Sequence, residues 1–102
     1  MEEQIKSIYQ AVLLETGFIR LELKGPLSGN SEKRLAQKIL IRMLSRVLPE
    51  LEIQKMTNIN LEEIEQIQMN EFSLPEANMY NLAWRSYIGL MNEQLISVRL
   101  AS

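Results

Sequence analysis

The chain has 102 residues, 46% of them hydrophobic and 24% charged, with a formal net charge of −2. This composition supports one hydrophobic core and a single domain, residues 1–102, and is not that of a disordered chain. Histidine, cysteine and aspartate are all absent, so disulfides, His bases, Cys nucleophiles and the usual zinc ligands are excluded, and no enzyme, metal or cofactor is expected.

A weakly negative balance argues against a general polyanion binder, which normally carries a basic excess. The start Met1-Glu2-Glu3-Gln4 is acidic where a secretory leader would be basic. No apolar run approaches the ~18 residues of a membrane span. A cytoplasmic protein without a membrane partner is the expectation.

In chain order, Ile5, Ile8, Tyr9, Val12 and Leu13 lay an apolar stripe along one helical face of residues 2–16. Gly17 stands where a helix C-terminus favours glycine. The period then changes. Ile19-Arg20-Leu21-Glu22-Leu23-Lys24 alternates apolar and charged, which predicts a strand stopped by Gly25-Pro26.

Ser31 is the expected N-cap of a second helix ending at Pro49. Leu35, Ala36, Ile39, Leu40, Met43, Leu44, Val47 and Leu48, with Ile41, cover more than half its circumference. So wide an apolar face predicts a helix central to the core or shared with a second copy, hence a homodimer burying Leu40, Leu44 and Leu48 or their neighbours.

Leu51–Thr57 fits a strand or a short helix equally. Asn60 caps the next helix, with Glu63 at its third position, Leu61, Ile64 and Ile67 inward, Gln68 a further candidate for that face, and Glu62 and Glu65 outside. Ser73-Leu74-Pro75-Glu76 is a capping box with proline in the first turn. Ala77, Tyr80, Trp84, Tyr87, Ile88, Met91, Leu95 and Val98 continue at helical spacing, which allows a helix running past residue 95. Gly89 and the β-branched Ile96 and Val98 favour ending that helix near Asn92. Residues 95–100 then form a strand that pairs with 19–24, placing Ile19, Leu21 and Leu23 on the core face with Ile96, Val98 and Leu100. The expected fold is α+β and mainly helical: about four helices with a small two-stranded sheet, 19–24 with 95–100. An all-α bundle is the alternative.

Two constellations are candidates for function. Arg34, Lys38, Arg42 and Arg46 recur every four residues on the second helix, while Glu50, Glu52, Glu62, Glu63, Glu65, Glu71 and Glu76 crowd the segment after it. Such a stripe suits an acidic partner or a nucleic-acid backbone. A solvated face, neutralised by the chain's own glutamates from the helix that Asn60 caps, is the plainer explanation. Tyr80, Trp84 and Tyr87 share a face of the last helix beside Arg85, which is hot-spot composition but also ordinary core spacing.

The methionines are scattered and fit gap-filling. The glutamate cluster lacks the Glu-x-x-His pairs of di-iron bundles and the aspartates and glycine of calcium loops. Gly25-Pro26-Leu27-Ser28-Gly29 is not a phosphate loop, because no lysine–serine pair follows.

The segment Ile53-Gln54-Lys55-Met56-Thr57-Asn58-Ile59-Asn60-Leu61-Glu62-Glu63-Ile64 resembles a short helix–turn–helix phrase. The phrase is found in many bacterial proteins, including the tails of recombination-promoting nuclease-like transposases. Asn60 replaces the usual cap serine and Asn58 the turn glycine. None of the nuclease residues can be placed, so the likeness is local and identifies no family.

Together these features point to a small non-enzymatic interaction module: an adaptor, inhibitor, antitoxin-like or assembly factor. It would present Arg34, Lys38, Arg42, Arg46, Tyr80, Trp84 and Tyr87 to another protein, for which an acidic partner is one candidate. The rival is a small DNA-binding regulator of helix–turn–helix type, using residues 51–68 with the basic stripe of 33–46 on phosphates. The glutamates that open its second helix oppose that rival.

Overall fold

Every regular element is helical: α1 (Glu2–Thr16), α2 (Ser31–Leu44), α3 (Glu50–Thr57), α4 (Leu61–Met69) and α5 (Leu74–Ala101). The computed structural model describes the backbone of residues 2–101 and the side chains of residues 2–93. Among the described residues there is no strand. The two-stranded sheet is therefore overturned and the all-α alternative fits.

The first helix forms as its periodicity requires. Ile8, Tyr9, Ala11 and Val12 are buried on one face. It ends where Gly17, at φ +81°, turns the chain into a conformation that only glycine adopts freely.

The alternating segment 19–24 forms a single tight turn. The Glu22 and Leu23 amides donate to the Ile19 carbonyl at 3.0 and 3.3 Å. The Glu22 carboxylate reaches back to accept the Ile19 N–H at 3.0 Å, as an acid in a first helical turn does. Only Leu23 enters the core, whereas Leu21 is 74% exposed.

The backbone groups that a sheet would have paired are satisfied by other means. The Gly25 amide donates to the Thr57 carbonyl at 2.9 Å. The amide of the fully buried Gln37 donates to the Leu23 and Pro26 carbonyls, both at 3.2 Å, and accepts the Ser28 N–H at 2.8 Å. One polar side chain on α2 thus holds the 23–28 loop against the bundle.

The other proposed strand, 95–100, lies within α5. The burial expected of Ile96, Val98 and Leu100 concerns side chains outside the described residues.

The second helix is the hub. It packs on α1, α4 and α5, and its Ala36, Ile39, Leu40, Ile41, Met43 and Leu44 are fully enclosed. Each large apolar side chain so buried contributes ~1.5–3 kcal/mol. The wide apolar face is covered by the chain's own helices. Leu40 and Leu44 are therefore unavailable to a second copy, and Leu48 is half-buried.

The helix ends differ from expectation in detail. Asn30 rather than Ser31 is the N-cap, its side chain accepting from the Glu32 and Lys33 amides. The helix ends at Leu44, before Pro49, through turns closed by Arg46, Val47 and Leu48 amides. Pro49 instead stands at the start of α3.

The ambiguous 51–57 segment is helical. Asn58 follows it in the left-handed region at φ 58°, which asparagine tolerates better than most residues. Ile59 is buried in the turn, and Asn60 caps α4 by accepting the Glu62 N–H at 2.8 Å. One continuous core runs from Ile8 on α1 through α2, Ile53, Ile59 and Ile64 to Ala83 and Tyr87 on α5.

Candidate functional site

Lys38 and Arg42 of α2 face the start of α5 and the loop before it. Glu76 sits in the first turn of α5, where the helix dipole favours a carboxylate. The Ser73 hydroxyl accepts the Glu76 N–H at 3.3 Å. This is one half of the expected capping box, for the carboxylate turns to α2 instead. Lys38 Nζ lies 3.4 Å from Glu76 Oε1 and Arg42 Nη2 lies 3.3 Å from Glu76 Oε2.

Arg42 Nη2 also donates to the Asn70 carbonyl at 3.0 Å. The guanidinium carbon of Arg42 lies 3.8 Å from the Phe72 ring centroid, within cation–π range. Only 9% of Arg42 is exposed. Its buried Nε–H has no hydrogen-bond partner among the described residues.

The basic stripe is thus neither a free surface nor a uniformly solvated one. Lys38 and Arg42 clamp α2 to α5, and the neutralising acid is Glu76 rather than a glutamate of α4. Arg34 is exposed and lies apart, lining a shallow depression of about 400 Å³ with Leu35, Lys38, Pro75 and Glu76. Arg46 is exposed and has no ion pair among the described residues. Its guanidinium lies 5.7 Å from the Trp84 ring.

The aromatic residues form a ladder. Ring centroids are 5.1 Å apart for Phe72–Tyr80, 6.0 Å for Tyr80–Trp84 and 5.1 Å for Trp84–Tyr87, all within the range of attractive ring contacts. Tyr87 is buried in the core, Tyr80 and Trp84 are half-buried, and Phe72 is 41% exposed. A cleft of about 360 Å³ opens at the exposed end, lined by Arg42, Ser45, Arg46, Gln68, Phe72 and Tyr80.

Of the residues singled out in the sequence, the fold brings Arg42, Arg46, Tyr80 and Trp84 together. It commits Lys38 to Glu76 and Tyr87 to the core, and leaves Arg34 outside. Arg42 and Arg46, rather than Arg85, are the cations beside the aromatic face.

Phe72, Gln68 and Ser45 were missed. Phe72 had a signal: it directly precedes the Ser73 cap, a position where an apolar residue often folds back onto its helix. Gln68 and Ser45 had none, since each reaches the cleft only through the meeting of separate helices.

Among the described residues no three acidic side chains converge to hold a metal ion, and no helix is long and apolar enough to cross a membrane. No protein-family model, no curated protein and no solved structure matches this chain.

Proposed function

We propose that the protein is a non-enzymatic interaction module, an adaptor, inhibitor, antitoxin-like or assembly factor. It presents the face around Arg46, Phe72, Tyr80 and Trp84 to another protein. The observation that carries this reading is the stacked aromatic ladder, exposed at Phe72 and flanked by an arginine that no carboxylate of the described chain neutralises. Tryptophan, tyrosine and arginine dominate binding hot spots. Rings already held by stacking lose little freedom when a partner covers them.

The nucleic-acid reading has the helix pair it needs in α3 and α4 but not the charge. Glu62 and Glu65 stand on the exposed face of α4, and Lys38 and Arg42 are engaged by Glu76. Self-association through Leu40 and Leu44 has no surface to use, so a homodimer would have to form through other exposed residues.

The test is co-purification from the native host, followed by titration of the purified partner against three forms of the protein. Arg46→Glu should abolish binding. Leu82→Asp should retain it, because Leu82 lines a separate depression with Asn78, Asn81 and Arg85. A partner indifferent to Arg46→Glu and lost with Leu82→Asp would move the interface elsewhere.

A further inference from the structure

We infer that the cleft between Arg42, Arg46, Phe72 and Tyr80 receives a carboxylate side chain from an acidic peptide segment of a partner protein, with an apolar neighbour of that residue lying on the Phe72 ring. The inference rests on the interaction-module reading and specifies its ligand.

Two observations converge on an anion. Arg42 and Arg46 both line the cleft, and Arg46 lacks a counter-charge among the described residues. Arg42 spends Nη2 on Asn70 and Glu76. Gln68 also lines the cleft, so a carboxylate entering it would meet an amide donor beside the two guanidinium groups, whereas the Ser45 hydroxyl already donates to the Arg42 carbonyl at 2.7 Å.

A third feature selects the class of ligand. The cleft holds about 360 Å³, room for a side chain and its neighbour rather than a continuous polyanion. Exposed Glu71 stands next to Phe72, and the chain is net negative at −2. A phosphate backbone extending past the cleft would meet repulsion, whereas an isolated acid beside an apolar residue would not.

The experiment is selection of a displayed library of short random peptides on the full chain, then titration of the enriched peptides. A single-stranded DNA oligonucleotide is titrated in parallel. Enriched sequences should pair Asp or Glu with an aromatic or aliphatic neighbour. Their affinity should fall about tenfold or more with Arg46→Glu, and it should weaken as salt is raised. Arg46 is exposed, so the variant should melt like the parent, and a thermal melt verifies this.

Enrichment of peptides without an acid, absence of enrichment, or equal binding to Arg46→Glu would overturn the assignment. Peptides insensitive to Arg46→Glu but lost with Leu82→Asp would sink this cleft and leave the interaction-module reading standing. Tighter binding of the oligonucleotide, abolished by Arg46→Glu, would replace both readings with nucleic-acid binding.

Discussion

Replacing Arg42 by methionine tests whether the clamp between α2 and α5 holds the bundle together. Methionine keeps much of the side-chain length and removes only the guanidinium. Glu76, 8% exposed, would then keep Lys38 at 3.4 Å as its remaining ion-pair partner. The Asn70 carbonyl would lose its donor and Phe72 its stacked cation. Removing one partner of a buried ion pair costs about 3–5 kcal/mol. Lys38 offsets part of that, and loss of the unsatisfied Nε–H offsets more. The expected cost is about 2–3 kcal/mol, equivalent to roughly 10–20 °C in Tm for a chain this short. Urea unfolding followed by fluorescence reads this directly, because Trp84 is the single tryptophan and belongs to the ring ladder that starts at Phe72, on which Arg42 stacks. Adding Glu76→Gln should make the pair of changes cheaper than their sum by about 1 kcal/mol or more, since both buried charges are then gone. A single-variant cost under about 1 kcal/mol, or strict additivity in the double variant, would refute the reasoning.

Leu23→Ala should cost about 2–4 kcal/mol and Leu21→Ala less than about 0.5 kcal/mol, because Leu23 is 1% and Leu21 74% exposed. Equal costs in denaturant titrations would restore a shared face for the two. Gln37→Leu should cost about 2–3 kcal/mol by freeing the Leu23 and Pro26 carbonyls and the Ser28 amide, and amide exchange at Ser28 should quicken. Unchanged exchange would mean that the loop is held by other contacts. Burial raises the Tyr9 pKa above the ordinary 10.0, against the lowering effect of nearby Arg20. The folded state therefore holds that proton more tightly than the unfolded chain. The associated stability is full below about pH 10 and is lost as pH rises through the folded pKa. Tyr9→Phe should flatten this alkaline decline in a series of chemical melts, and an identical slope in parent and variant would remove Tyr9 as its source.

Helix existence was legible wherever the apolar period ran for several turns. The first helix, the second helix and the inward set Ile64 and Ile67 all follow from spacing alone. The starts at Asn60 and Ser73 were legible too, because a cap is a contact between near neighbours in sequence. Alternation over 19–24 misled because six residues are too few to separate a strand from one tight turn. Residues 19 and 23 also fall on one side of a helical turn, and Glu22 closes that turn locally. The aromatic positions Tyr80, Trp84 and Tyr87 could be read as a face, but not which end of that face stays open.

The sequence by itself determined a histidine-free, cysteine-free helical chain, the stripes that form its core, and a run of arginines at four-residue spacing. These are properties of composition and of helical period, which need no knowledge of what lies opposite. Tertiary structure alone decided that Glu76 captures Lys38 and Arg42, that Gln37 replaces a strand as partner to the 23–28 loop, and that Arg46 is left beside Phe72 and Tyr80 at an open cleft. Each depends on groups far apart in sequence, and on burial, which determines which polar atoms must find a partner inside the protein and which can use water.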